Sequence, residues 1–214
     1  MPDLEIYVKT LGDMGTNCYI MANHDTDECI VFDPGAEAGT LKEIFDSPQF
    51  HLKGIFLTHG HFDHIGAVKA LQDQYHVPVY VSRQEEEDVL TNTSVNLTGA
   101  FGLPYILHGT DLLRDGEEVD IIGTKIKCLL TPGHTSGGMS YYCEELASVI
   151  VGDTLFHESV GRTDFPTGSA STLVRSIQEQ LLTLPDETKV FPGHMSDTTI
   201  GWEKKYNPFC GGAL

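Results

Sequence analysis

The sequence predicts an α/β fold whose strands deliver ligand-type side chains to one sheet edge. Three observations predict it. Short apolar runs open the chain and then alternate with amphipathic stretches of helical period. Several of the runs end in Gly- or Pro-containing turns that carry His or Asp. The chain of 214 residues is long enough for one large domain with a core of its own, and residues 1–214 are expected to form a single domain.

The elements follow in order. Leu4 to Lys9 alternates weakly and reads as a strand. Cys18 to Ala22 and Cys29 to Phe32 flank the polar stretch Asn23 to Glu28, the pattern of a hairpin. Asp33-Pro34-Gly35 stops the strand. Leu41, Ile44 and Phe45 share a helical face, and Gly54 to Thr58 is a buried strand. Ile65, Val68, Lys69, Leu71 and Tyr75 mark an amphipathic helix. Val77 to Val81 is a strand, and Arg83 to Leu90 a short acidic helix whose run Glu85-Glu86-Glu87-Asp88 reads as a solvated face. Residues 91–110, polar and glycine-rich, read as a long loop. Val119 to Ile122 and Lys125 to Leu130 flank Gly123-Thr124 as a second hairpin. Met139 to Cys143, Ser148 to Gly152 and Lys189 to Phe191 are strands. Leu173, Ile177 and Leu181 mark a helix closed by Pro185, and Thr198 to Lys205 a last helix.

Composition narrows the function classes. Lys+Arg number 13 against Asp+Glu 31, a formal net charge of -18. Such a surface repels phosphate backbones and anionic membranes, so neither nucleic acid nor membrane is an expected partner. No stretch approaches the ~18 apolar residues of a transmembrane helix, and Met1 to Glu5 shows no signal-peptide pattern. The five cysteines are odd in number and widely spaced, which fits a reducing cytoplasm and small buried hydrophobes.

The chemistry concentrates in Thr58-His59-Gly60-His61-Phe62-Asp63-His64. By composition, H-x-H-x-D-H arises by chance on the order of 10⁻³ times per chain. It sits between a strand and a helix, and side chains so crowded need a cation to hold them together. Imidazole and carboxylate without thiolate suit zinc, iron or manganese. Three later residues follow apolar runs in the same way: His134 in Thr131-Pro132-Gly133-His134-Thr135, Asp153 in Gly152-Asp153-Thr154, and His194 in Phe191-Pro192-Gly193-His194. Each alone reads as readily as a core histidine or a capping aspartate. Beside the first cluster they read as one metal site.

His59-x-His61-x-Asp63-His64 with His134, Asp153 and His194 resembles the metallo-β-lactamase superfamily over nearly the whole chain. Asp33-Pro34-Gly35 looks like its first motif, whose buried aspartate supports the histidine loop. The segments Thr131 to Thr135, Gly152 to Phe156 and Gly161 to Pro166 look like the glyoxalase II branch. The tail from Thr198 to Phe209 resembles the short bacterial glyoxalase II-like (hydroxyacylglutathione hydrolase-like) enzymes. The resemblance implies an αββα sandwich, two mixed sheets flanked by helices, and two divalent metal ions. Zinc is the expected metal, with iron or manganese compatible. By the resemblance, His59, His61 and His134 hold one ion, Asp63, His64 and His194 the other, and Asp153 bridges both. A bridging hydroxide with a pKa lowered to roughly 7 then attacks the carbonyl of a small thioester, S-lactoylglutathione or an analogue. Asp153 and Asp63 are the catalytic carboxylates, Asp63 orienting the hydroxide. The leaving thiolate, with a pKa near ~8.5, needs no separate acid.

Several positions depart from that pattern. Only 20 residues follow His194, so the helical domain that helps full-length glyoxalase II bind glutathione is not expected. Ser196 replaces a tyrosine, Asp164 an aromatic residue, and Met195 a glycine frequent in the short relatives. Arg162 replaces a lysine and keeps its charge. It is the expected binder of a substrate carboxylate, the other reading being a pair with Asp164. His24, His51, His76, His108 and His157 match no ligand position and are expected at the surface or behind the site. The alternative activity is that of a persulfide dioxygenase of the same superfamily, with one iron on His59, His61, His134 and the aspartate. The sequence does not fix the oligomeric state, and a homo-oligomer is compatible with it.

Overall fold

The computed structural model describes residues 2–102 and 105–211. Positions 103–104 of the expected loop and the extreme ends of the expected domain lie outside the described residues. The first sheet has the spatial order β1 (Leu4–Leu11), β2 (Thr16–Asn23), β3 (Glu28–Phe32), β4 (His51–Phe56), β5 (Val79–Ser82), β6 (Asp111–Leu113). Its first three strands pair antiparallel and the rest parallel. The second sheet runs β7 (Glu118–Ile121), β8 (Thr124–Leu130), β9 (Met139–Cys143), β10 (Ser148–Gly152), β13 (Lys189–Pro192), β14 (Thr198–Thr199). There β10 and β13 are parallel and the other neighbours antiparallel. A small hairpin, β11 (Leu155–Phe156) with β12 (Ser159–Val160), stands apart.

Alternation along the strands builds the layers. In β2, Tyr19 and Met21 pack between the sheets while Cys18, Ile20 and Ala22 pack on the opposite face. That face is covered by α1 (Ala38–Phe45) and α3 (Val68–Tyr75) through Leu41, Phe45, Val68 and Leu71. Every residue of β2 is therefore buried, as a strand covered on both faces must be. On the second sheet Val149 and Val151 pack under Leu173, Ile177 and Leu181, from α5 (Ala170–Ser176) and the π-turn Ile177–Leu181 that continues it. The layers are thus helix, sheet, sheet, helix, as expected. Between the sheets an aromatic cluster forms, with Phe56 stacked on Tyr80 at 4.4 Å and edge-on to Tyr141 at 5.2 Å. The Tyr141 hydroxyl donates to the Leu57 carbonyl at 2.6 Å, so β9 pins the residue that leads into the histidine loop.

Some elements differ from expectation. The helix expected from Ile65 to Tyr75 is two helices, α2 (Phe62–Ile65) and α3. It breaks where Gly66 passes the Asp33-Pro34-Gly35 turn so closely that a Cβ would lie 2.2 Å from the Gly35 carbonyl oxygen. Arg83 to Leu90 is α4 (Arg83–Glu85) followed by the π-turn Glu86–Leu90. The expected last helix is β14 followed by α6 (Ile200–Tyr206). Strands β6, β11, β12 and β14 were not expected; at two or three residues each they are too short to show alternation.

Candidate metal centre

The ligand-type residues follow the C-terminal ends of four strands. His59 and His61 lie beyond β4, and His61 precedes α2, which carries Asp63 and His64. His134 follows β8, Asp153 follows β10, and His194 follows β13. Strands β8 and β10 both run antiparallel to β9, and β13 runs parallel to β10. These three therefore share a direction and deliver their loops to one edge of the sandwich. There His59, His61 and His134 form one trio of converging donor atoms and Asp63, His64 and His194 another. Asp153 faces both: its Oδ2 is 3.7 Å from His134 Nε2 and 3.6 Å from His194 Nε2, and its Oδ1 is 3.5 Å from His64 Nε2. All seven expected residues are brought together.

Hydrogen bonds behind the site fix the imidazole tautomers. His134 Nδ1–H donates to the Arg162 carbonyl at 2.8 Å. His64 Nδ1–H donates to Asp33 Oδ2 at 2.9 Å. Thr58 Oγ1 gives its own proton to Asp33 Oδ2 at 2.6 Å, so it accepts from His59 Nδ1–H at 3.1 Å. In these three rings the Nδ1 proton sits on the outer side, and each when neutral presents its Nε2 lone pair inward, the arrangement that orients metal-binding histidines. His59 Nε2, His64 Nε2 and Asp153 Oδ1 are buried with no hydrogen-bond partner, as is His61 Nε2. His61 turns its Nδ1 to within 2.9 Å of His134 Nε2. Buried polar atoms left unpaired are costly, and a divalent cation is the species that this donor set fits. Asp33 also lies within reach of His59 and His64, but its oxygens are taken by Thr58 N, Thr58 Oγ1 and His64, so it orients His64 directly and His59 through Thr58.

The electrostatics differ between the trios. Burial, and then the neighbouring imidazoles, hold His59 well below the ordinary histidine value and push His61 down to about 3. Burial also lowers His134, against the opposing pull of Asp153. The first trio is thus three neutral rings whose donor atoms converge. His64 also suffers burial, but Asp63, Asp33 and Asp153 outweigh it and raise the ring to about 10. His194 moves up for the same kind of reason, burial being outweighed by Asp63 and Asp153. Burial opposes ionisation of Asp63, but His64, His194 and the Thr16 hydroxyl, 2.8 Å from its Oδ2, hold it well below the carboxylate range.

Residues that sequence reasoning passed over complete the frame. Glu85, expected on a solvated face, is fully buried. Its Oε1 accepts from Gly60 N–H at 2.7 Å, and its Oε2 from Thr135 Oγ1 at 2.8 Å and Gly137 N–H at 3.1 Å. One carboxylate thus ties the His59–His61 loop to the His134 loop. Burial pushes its pKa up to about 7, although these three donors pull it down. Of that run only Glu87 is exposed. Asn17 and Tyr19 of β2 hold the His194 loop through the Pro192 and Met195 carbonyls. Gly193 lets that loop close, since a Cβ there would lie 2.3 Å from Asp153 Oδ1 and 2.7 Å from His64 Cε1.

Arg162 stands at the rim, 56% exposed, and its guanidinium makes a two-pronged pair with Asp164, both contacts at 2.7 Å, above the Phe165 ring. The five remaining histidines lie away from the cluster: His51 and His76 are exposed, and His24, His108 and His157 pair with nearby glutamates. All five cysteines are free and buried, as expected. Among the described residues no helix is long and apolar enough to cross a membrane.

Comparison with known proteins agrees with this geometry. The sequence pattern of the Metallo-beta-lactamase superfamily matches residues 11–194. The chain is 37% identical over 204 residues to the probable metallo-hydrolase YqgX of Bacillus subtilis, covering 94% of this chain and 95% of that protein. It is 37% identical over 196 residues to hydroxyacylglutathione hydrolase GloC of Haemophilus influenzae, covering 90% and 92%. Among solved structures it resembles BLEG-1 B3 metallo-beta-lactamase, with a TM-score of 0.91, 37% identity and coverage of 97% and 100%. It also resembles TTHA1623 in a di-iron-bound form, with a TM-score of 0.83, 35% identity and coverage of 95% and 99%.

Proposed function

Since the chain belongs to the metallo-β-lactamase superfamily, we propose that it is a dinuclear metal-dependent hydrolase that cleaves a small thioester of the S-lactoylglutathione type. The observation that carries this reading is the second trio. One ion needs only His59, His61, His134 and Asp153, whereas Asp63, His64 and His194 gather a further set of donors around the same aspartate. The likeness to GloC supports the thioester. Zinc is the proposed metal; iron or manganese suits the same donors.

When bound, two divalent ions would polarise the carbonyl and bring the pKa of a shared water to about 7. The chain's own residues supply the rest. Asp33, Thr58 and the Arg162 carbonyl keep His64, His59 and His134 in the tautomers that present Nε2. Thr16 donates to Asp63 Oδ2, the same oxygen that lies 3.3 Å from His194 Nε2 and 3.5 Å from His64 Nε2, and so holds that carboxylate toward the second trio. Asp153 holds the two trios in register. A thiolate leaves without help from a proton donor because its pKa is near ~8.5, so the reaction needs no separate general acid. Arg162, two-pronged to Asp164 in this structure, would have to exchange that partner to take a substrate carboxylate at the rim. The free, buried cysteines support a reducing compartment, the cytoplasm.

Metal analysis of native protein, run with a thioester hydrolysis assay and an oxygen electrode, tests the reading. About two ions per chain and release of free thiol are expected. One tightly held iron per chain, with oxygen uptake on a persulfide, would identify a dioxygenase instead.

A further inference from the structure

A groove of about 910 Å³ leaves the candidate metal centre at Asp63 and runs under the β1–β2 turn. It is lined by Met14, by Phe62 stacked on Phe101 at 4.0 Å, and by Gly35 and Gly66. Met14 and Phe101 are more than half exposed, and large apolar side chains held open beside a polar site mark a place where apolar ligand surface is buried.

The charges of the groove are one-sided. Its ionisable carboxyl side chains are Asp13, Glu37 and Asp63, and no Lys, Arg or His lines it among the described residues. Glu37 accepts the Gly12 N–H at 2.9 Å, which holds this carboxylate at the turn. An ion on Asp63 would neutralise that residue and leave Asp13 and Glu37. Arg162 is not among the lining residues; it stands beside His134, in the other trio, through its own carbonyl. An anionic group in the groove would meet Asp13 and Glu37 with no cationic side chain among the described lining residues to offset them.

Resting on the hydrolase reading above, we propose that this groove binds an uncharged, apolar arm of the substrate, and that Met14 and Phe101 select for it. The substrate is then two-sided, with a hydrocarbon or aryl arm in the groove and its polar or anionic end elsewhere.

Two measurements on the metal-loaded chain test this. In the first, neutral thioesters are lengthened one methylene at a time, on the acyl arm and then on the thiol arm, and thiol release gives KM and kcat. On one of the two arms KM should fall about fourfold per methylene, the value of burying one CH₂. A terminal carboxylate on that arm should raise KM roughly tenfold. Phe101→Ala and Met14→Ser should each flatten the dependence on length. The second measurement needs no turnover: N-phenyl-1-naphthylamine, neutral, should bind at least tenfold tighter than the anionic 8-anilinonaphthalene-1-sulfonate, and Phe101→Ala should weaken binding of the neutral probe. Thioester hydrolysis with KM indifferent to length on both arms, or equal binding of the two probes, overturns the groove assignment and leaves the hydrolase reading standing. Phe101-dependent binding of the neutral probe without hydrolysis of any thioester upholds the groove and overturns the hydrolase reading.

Discussion

Glu85→Gln isolates the electrostatic and hydrogen-bonding roles of one buried group. Glu85 is fully buried, and burial raises its pKa to about 7 from an ordinary 4.5. Ionising it in the folded protein therefore costs about 3 kcal/mol more than in the unfolded chain. Below pH 4.5 both states hold the proton and the cost is absent. Between 4.5 and 7 the unfolded chain ionises first, the folded state binds more protons, and stability falls as pH rises. Above 7 the full cost is present. Glutamine carries no such dependence. It has one accepting oxygen, whereas Glu85 offers one oxygen to Gly60 N–H and the other to Thr135 Oγ1 and Gly137 N–H. In either amide orientation a backbone N–H faces the NH₂, at about 1–3 kcal/mol.

The two effects oppose each other only at high pH. At pH 5 the variant should be less stable than the parent by about 1–3 kcal/mol, and at pH 8 the difference should vanish or reverse. Urea denaturation of metal-stripped protein, at constant ionic strength, gives both values provided that the m-values agree. Histidines titrate in both proteins and cancel in the difference. Parallel stability curves from pH 5 to 8 would show that Glu85 stays ionised throughout and refute the reasoning. In metal-loaded protein the same variant should weaken the ion on His59, His61 and His134 by roughly 10- to 100-fold, the usual effect of losing an outer hydrogen bond at a metal site.

Three further substitutions separate the parts of the site. Gly193→Ala places a methyl group 2.3 Å from Asp153 Oδ1 and 2.7 Å from His64 Cε1, so bound metal should drop from about two ions to about one in elemental analysis; unchanged stoichiometry would mean that the loop moves aside. His64→Ala should lose mainly one ion, and Asp153→Ala should weaken both, because only Asp153 faces both trios. Arg162→Ala should raise KM roughly 10- to 150-fold for thioesters bearing a carboxylate and leave kcat nearly unchanged, as for lost uniform binding. A lower Tm with normal kinetics would instead confine Arg162 to its pair with Asp164.

The histidine loop and the later residues that converge on it were legible because each signal is local: an apolar run, then Gly or Pro, then His or Asp. What supports them is not local. Glu85 opens an acidic run and looks solvated, yet it stands four residues before Val89, which is fully buried. That spacing could have placed it on the inward face of a helix. Its partners Gly60, Thr135 and Gly137 come from two other segments, and no pattern within residues 83–90 announces them. Asn17 and Tyr19 were hidden in the same way, as members of an apolar strand whose polar atoms reach carbonyls more than 170 positions away.

Met195 shows how a departure from a family pattern becomes intelligible only with backbone geometry. Its φ is +64°, in the left-handed region where glycine is at ease and other residues pay roughly 1–2 kcal/mol. The conformation is imposed by its neighbours: Asn17 Nδ2 donates to the Met195 carbonyl at 2.9 Å and to the Pro192 carbonyl at 3.1 Å, so the chain must reverse just after His194. A methionine is tolerated there because its side chain meets solvent, being 64% exposed, and the cost is confined to the backbone. Two positions earlier the same loop has no such freedom. At Gly193 a Cβ would enter the space between Asp153 and His64, where the donor atoms converge. One glycine next to His194 is therefore replaceable and the other is not, a distinction that follows from which way each Cβ points.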